Sequence, residues 1–139
     1  MLYRKLGQTG VDVSILGFGC MRLPLVKSEQ KITVSNAEID EPEATRILRW
    51  AIDNGVNYID TAYPYHSGNS ELFLGRALQD GYRQKAFLMT KLDGRTKESA
   101  SSQLEESLHR LRTDHIDLVQ FHEIIRMDEP ALKRRHHGL

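Results

Sequence analysis

The sequence predicts an α/β fold built on a parallel sheet, and three observations carry that expectation. Short apolar runs alternate with longer segments whose apolar residues recur at helical spacing. Three of those runs end on polar residues, Asp60, Lys91 and His122, spaced 31 residues apart, the length of one strand–helix unit. Before them, two extended segments are joined by a glycine-containing turn, so a hairpin precedes the alternating units.

Tyr3 to Leu6 and Val11 to Ile15 are the arms of that hairpin, with Gly7-Gln8-Thr9-Gly10 between them. Ser14 to Phe18 reads as a buried strand, stopped by Gly17-Phe18-Gly19-Cys20. Residues 24–41 include Pro24, Lys27, Ser28 and Asn36 and are expected to form an irregular loop on the rim. The first helix opens with Asp40 as N-cap, Pro42 in the first turn and Glu43 at the capping-box position. Ala44, Ile47, Leu48, Ala51 and Ile52 form its apolar stripe, Trp50 is expected to pack, and Asn54-Gly55 ends it. Val56 to Ile59 then forms a strand closed by Asp60.

A second helix is expected over Ser70 to Gln79, with Leu72, Gly75 and Leu78 facing inward and Asp80-Gly81 as its stop. Ala86 to Thr90 is the next strand, closed by Lys91. The third helix runs from about Lys97 to Arg112 on a stripe of Ala100, Leu104, Leu108 and Leu111. Ile116 to Phe121 is the last strand, closed by His122. Eight strand–helix units need roughly 250 residues, and this chain has 139. The expected architecture is therefore a partial (β/α)8 TIM barrel: a hairpin, about four strands and three helices. Such a sheet has two open edges and an apolar face partly uncovered, through which two copies could associate. Residues 1–130 make up this half-barrel, and residues 131–139 form a basic tail that does not continue it.

Composition narrows the partners. The chain is 40% hydrophobic and 27% charged, with 19 basic and 19 acidic residues and no net charge. It has no electrostatic footprint for nucleic acid or an anionic membrane surface. No run approaches the roughly 18 apolar residues of a membrane helix. Cys20 is the only cysteine, so no disulfide forms within the chain, and a cytoplasmic setting is expected. His66, His109, His115 and His122 have no recognisable zinc spacing. Gly17-x-Gly19 lacks the remaining glycines and the immediate helix of a dinucleotide fingerprint.

In barrels of parallel strands, chemistry gathers at the carboxyl ends of the strands. Asp60, Lys91 and His122 lie there, and Tyr65 follows Asp60 in a loop opened by Pro64. These four supply what reduction of a carbonyl by hydride requires. Charge grows on the oxygen as hydride reaches the carbon, and a phenol can donate a proton there. A nearby ammonium stabilises the phenolate, a carboxylate holds the ammonium charged and oriented, and an imidazole can hydrogen-bond the substrate oxygen. Taken singly, each has a plainer reading. Asp60 can be a turn former, Tyr65 can pack beside Tyr63, Lys91 can be solvated beside Asp93, and His122 can be a satisfied core histidine.

Asp60-Thr61-Ala62-Tyr63-Pro64-Tyr65, Gly68-Asn69-Ser70-Glu71, Thr90-Lys91-Leu92 and Phe121-His122 together resemble the aldo/keto reductase family, and the stretch Gly81 to Lys97, with Gly94-Arg95-Thr96-Lys97, looks most like its bacterial members. The segments Tyr3 to Gly10 and Leu16 to Gly19 resemble that family's hairpin and first strand. The resemblance runs to about Pro130. It implies an eight-stranded barrel that reduces aldehydes and ketones with NADPH, or alternatively NADH. It also implies Tyr65 as proton donor, Lys91 and Asp60 as its tuning pair, and His122 as the residue that orients substrate. Gly19, Cys20, Met21 and Asp60 would then lie against the nicotinamide. The family continues with four more units, so a truncated or split product with weakened cofactor binding is expected. The alternatives are a non-catalytic barrel-type binding or regulatory subunit and an inactive gene fragment.

Overall fold

A computed structural model describes residues 1–26 and 38–125. Strands β1 (Tyr3–Lys5) and β2 (Asp12–Ser14) pair antiparallel, with Tyr3 opposite Ser14. Their turn is closed by the Leu6 amide donating to the Val11 carbonyl at 2.9 Å and by the Thr9 hydroxyl donating to the Leu6 carbonyl at 2.6 Å.

The next strand, β3 (Gly17–Gly19), starts later than the expected Ser14-to-Phe18 run. Ser14 belongs to the hairpin, and its hydroxyl donates to the Leu16 carbonyl at 2.7 Å, bending the chain. Ile15 and Leu16 are left exposed. A bridge between Leu25 and Ile39 clasps the ends of the expected rim loop. Its centre, residues 27–37, lies outside the described residues, as do the basic tail and the division at residue 130.

Helix α1 (Glu41–Asp53) begins where its cap predicts: the Glu43 amide donates to Asp40 Oδ1 at 3.2 Å. The box is not reciprocated, because the Glu43 carboxylate pairs with Arg46 and the Asp40 amide donates to the Pro24 carbonyl. The helix buries Ala44, Leu48, Ala51 and Ile52, one face at periods of three and four. Trp50 lies off that face and is 65% exposed, which corrects the expectation that it packs.

Strand β4 (Tyr58–Asp60), helix α2 (Asn69–Ala77), strand β5 (Phe87–Leu92), helix α3 (Lys97–Leu111) and strand β6 (Leu118–Phe121) follow. The sheet order is β3-β4-β5-β6, all parallel. This is the expected partial (β/α)8 arrangement. Helix α2 buries Phe73, Leu74 and Ala77, while Leu72 is exposed, contrary to expectation. Three consecutive apolar residues, Leu72 to Leu74, hide the true face from a periodicity argument. Gly75 is inward as expected, and the reason is contact: a Cβ there would collide with the Arg110 backbone carbonyl of α3. Among the described residues no helix is long and apolar enough to cross a membrane.

Candidate active site

Side chains alternate across a strand, so each strand here sends one set toward the helices and the other toward the concave face. Ile59, Leu88, Thr90 and Leu92 are buried on the helix side. Asp60 pairs with Met89 in the ladder, and Lys91 lies two residues beyond Met89, so Asp60, Met89 and Lys91 share the concave face. Lys91 is opposite Gln120 on β6, which brings His122, two residues on, to the same mouth. The sequence pattern and the parallel register together account for this convergence.

Lys91 is the centre of the cluster. Its Nζ forms an ion pair with Asp60 Oδ1, donates to the Thr61 carbonyl at 3.0 Å and reaches the Tyr65 hydroxyl at 3.5 Å. It also sits 5.1 Å from the centre of the Tyr65 ring. The loop after β4 stays zipped to β5, with the Thr61 amide on the Met89 carbonyl and the Tyr63 amide on the Lys91 carbonyl, both at 2.9 Å. That zip delivers Tyr65 beside Lys91.

Tyr65 opens a short, kinked helical segment, Tyr65–Gly68, after Pro64. The next three residues are left-handed: His66 at φ 51°, Ser67 at 56° and Gly68 at 87°. Only glycine adopts that region without cost, so the two preceding residues store backbone strain directly beside the phenol. The Asn69 side-chain amide donates to the His66 carbonyl at 3.0 Å and holds the turn. The His66 side chain is buried, and burial holds its imidazole below the usual range, against the opposing influence of the Met21 and Cys20 carbonyls.

The His122 ring meets Tyr65 edge-on, with ring centres 5.7 Å apart at 76°. Its Nδ1 lies 3.0 Å from Asp93 Oδ1, and the Arg95 guanidinium donates to the His122 carbonyl and, at 3.3 Å, to that of Glu123. Asp93 was expected only as a solvated neighbour of Lys91, and the parts played by Arg95 and the Thr61 carbonyl had no sequence signal. The signal for Asp93 was its place two residues past Lys91, where a carboxylate can reach the next strand's end.

At the β3 side, Gly19 is opposite Asp60 in the ladder. A Cβ at Gly19 would meet no atom within 4 Å, so open space lies beside the strand end. A groove of about 450 Å³, lined in part by Gly17, Gly19, Tyr58 and Asp60, runs along this face. Met21 is exposed, whereas Cys20 is buried. Burial pushes the Cys20 thiol up, Asp60 adds to this and Lys91 opposes it. Tyr58 shares the concave face but donates its hydroxyl to the Met89 sulfur at 3.0 Å. Burial, then Asp60, push its phenol up against the influence of Lys91.

The model of the aldo/keto reductase family matches residues 16–131. The oxidoreductase YqkF of Bacillus subtilis, itself uncharacterized, is 35% identical over 134 residues, which cover 88% of this chain and 39% of that protein. The holo form of aldo-keto reductase AKR11C1 from Bacillus halodurans superposes with a TM-score of 0.74 at 34% identity, covering 98% of this chain and 47% of that one. An aldo-keto reductase from Klebsiella pneumoniae, solved with NADP and acetate, gives 0.65 at 25% identity over 91% of this chain and 42% of its own. The chain spans about two-fifths of the length of the curated relatives it matches.

Proposed function

The chain belongs to the aldo/keto reductase family, and from that premise we propose that its polar cluster is the proton-donating end of a site that reduces aldehydes or ketones to alcohols. The observation that carries this reading is Lys91 Nζ, held by Asp60 and within reach of the Tyr65 hydroxyl. Tyr65 donates its proton to the substrate oxygen as charge develops there. The Lys91 ammonium stabilises the phenolate left behind, and Asp60 keeps that ammonium oriented. His122, fixed by Asp93, presents its other ring nitrogen to the carbonyl oxygen and aligns it with Tyr65.

The cofactor in this reading is NADPH, with NADH as the alternative. When bound, it supplies the hydride and leaves oxidised, so one hydride and one proton convert the carbonyl to the alcohol. Gly19, Met21, Asp60 and the backbone of Cys20 would hold its nicotinamide end, a fit supported by the open space at Gly19 beside Asp60. The Cys20 side chain takes no part because it faces the core.

The substrate is a small carbonyl compound. The decisive test is an assay with NADPH and a panel of aldehydes and ketones, read as loss of reduced cofactor and appearance of alcohol. Turnover with at least one carbonyl is expected; a well-folded protein that binds NADPH but reduces none of them contradicts the proposal. Val119, Phe121, Ile124 and Ile125 are exposed at and beyond β6, which supports a further reading in which the open sheet self-associates. Sedimentation that finds only monomer at high concentration would rule that out.

A further inference from the structure

The strained turn that follows Tyr65 is braced from a helix outside the mouth. Arg110 of α3 reaches both flanks of that turn. Its guanidinium lies over the Tyr63 ring at 4.3 Å and donates to the Tyr63 hydroxyl at 3.4 Å. On the other side it fits against Gly68, where a Cβ would come within 3.0 Å of Nη1. Tyr63 is two residues before Tyr65 and Gly68 three after it.

The same guanidinium is tied to the rest of the fold. Nη1 is 3.6 Å from Oε2 of Glu71, a fully buried carboxylate. The other oxygen of Glu71 accepts from the Thr90 hydroxyl at 2.7 Å, and Thr90 is the residue before Lys91 on β5. Arg110 also pairs with Glu106, which accepts from the Tyr63 hydroxyl at 2.6 Å. The planar cation therefore touches the turn that carries the phenol and, through Glu71 and Thr90, the strand that carries the ammonium.

We propose that Arg110 is a positioning residue, whose flat guanidinium, wedged between Tyr63 and Gly68, sets the Tyr65 hydroxyl against Lys91 and His122. This rests on the reading of Tyr65, Lys91 and His122 as one site. A purely structural role would need only a cation opposite Glu71, which lysine can supply. The positioning role needs a plane that stacks on an aromatic ring and fits against a glycine, which lysine cannot.

The experiment is proton NMR on the full chain, comparing Arg110→Lys with the parent. The readout is the through-space contact between the Tyr65 and His122 rings, with the Ile59–Leu88 contact between β4 and β5 as internal reference. In Arg110→Lys the ring contact is expected to fall roughly threefold or more, while the reference contact holds. An unchanged ring contact overturns the proposal. Tyr63→Leu removes the stacked ring while leaving the Arg110–Glu71 pair intact, and is expected to weaken the same contact. If it does not, the proposal fails even where the arginine variant is unstable. A parent chain that lacks the ring contact altogether overturns the site reading and this inference with it, whereas a parent contact that neither variant weakens overturns the inference alone.

Discussion

Strands β4 and β5 lie inside the sheet, and β6 lies at its edge among the described residues. Ile59 and Leu88 are fully buried between sheet and helices, whereas Val119 and Phe121 of β6 are 39% and 41% exposed. The functional side chains divide along the same line. Asp60 and Lys91 grow from covered strands and pair with each other, and Lys91 also reaches the Thr61 carbonyl and the Tyr65 hydroxyl. His122 follows the edge strand and depends on Asp93, with Arg95 gripping its backbone. The proton-donating half of the site thus grows from interior strands, whereas the orienting residue follows the edge strand and is held by Asp93, Arg95 and its own amide on the Leu92 carbonyl.

The largest contrast is expected in stability. Leu88→Ala empties a core position and should cost about 2–5 kcal/mol. Val119→Ala, at a half-open position, should cost less than about 1 kcal/mol. Urea unfolding of both variants checks this, and equal costs would erase the distinction between interior and edge. Next comes Lys91→Met, which leaves the Asp60 carboxylate, with its side chain only 32% exposed, without a cation. A loss of about 1–3 kcal/mol is expected. Asp93→Ala should leave unfolding within about 0.5 kcal/mol of the parent but weaken the Tyr65–His122 ring contact seen by NMR. An Asp93→Ala variant that keeps the contact would show that the edge half is packed as firmly as the interior half.

The smallest effect concerns pH. The folded state holds His66 below its ordinary value, with burial as the first cause. The unfolded chain therefore binds the proton more readily. The stabilisation is present above the ordinary histidine value of about 6.5 and is lost as pH falls through the folded value. His66→Asn should show a shallower loss of melting temperature in mildly acid solution than the parent. Glu71 acts with the opposite sign, because burial raises its carboxyl against the Thr90, Ser107 and Arg110 interactions. The difference between parent and variant isolates the imidazole. Identical acid profiles would mean that the strained turn does not sense protonation.

Much of this was legible in the sequence because it is periodic. Asp60, Lys91 and His122 at equal spacing follow from the strand–helix repeat, and the parallel register turns that spacing into a shared face. The Asp40 cap and the Asn54-Gly55 stop placed α1 nearly to the residue. What stayed hidden depends on packing between elements. Arg110 looks like one more charge on an amphipathic helix until α3 is laid on α2 at Gly75, where it meets a buried carboxylate and an aromatic ring. Trp50 is large and apolar, yet the stripe of α1 is complete without it. Ile15 and Leu16 read as strand, but the Ser14 hydroxyl turns the backbone before the sheet begins. The strain after Tyr65 was weakly marked: histidine visits positive φ more often than most residues, but neither His66 nor Ser67 does so as freely as glycine.

The central claim is that Tyr65 gives up its proton to a carbonyl while Lys91 supports it. The direct measurement is the rate of NADPH-dependent aldehyde reduction by Tyr65→Phe relative to the parent, with NADPH affinity measured alongside. The account predicts a fall of at least about 100-fold in rate with cofactor affinity unchanged. A phenylalanine variant that reduces the aldehyde at close to the parent rate would contradict it.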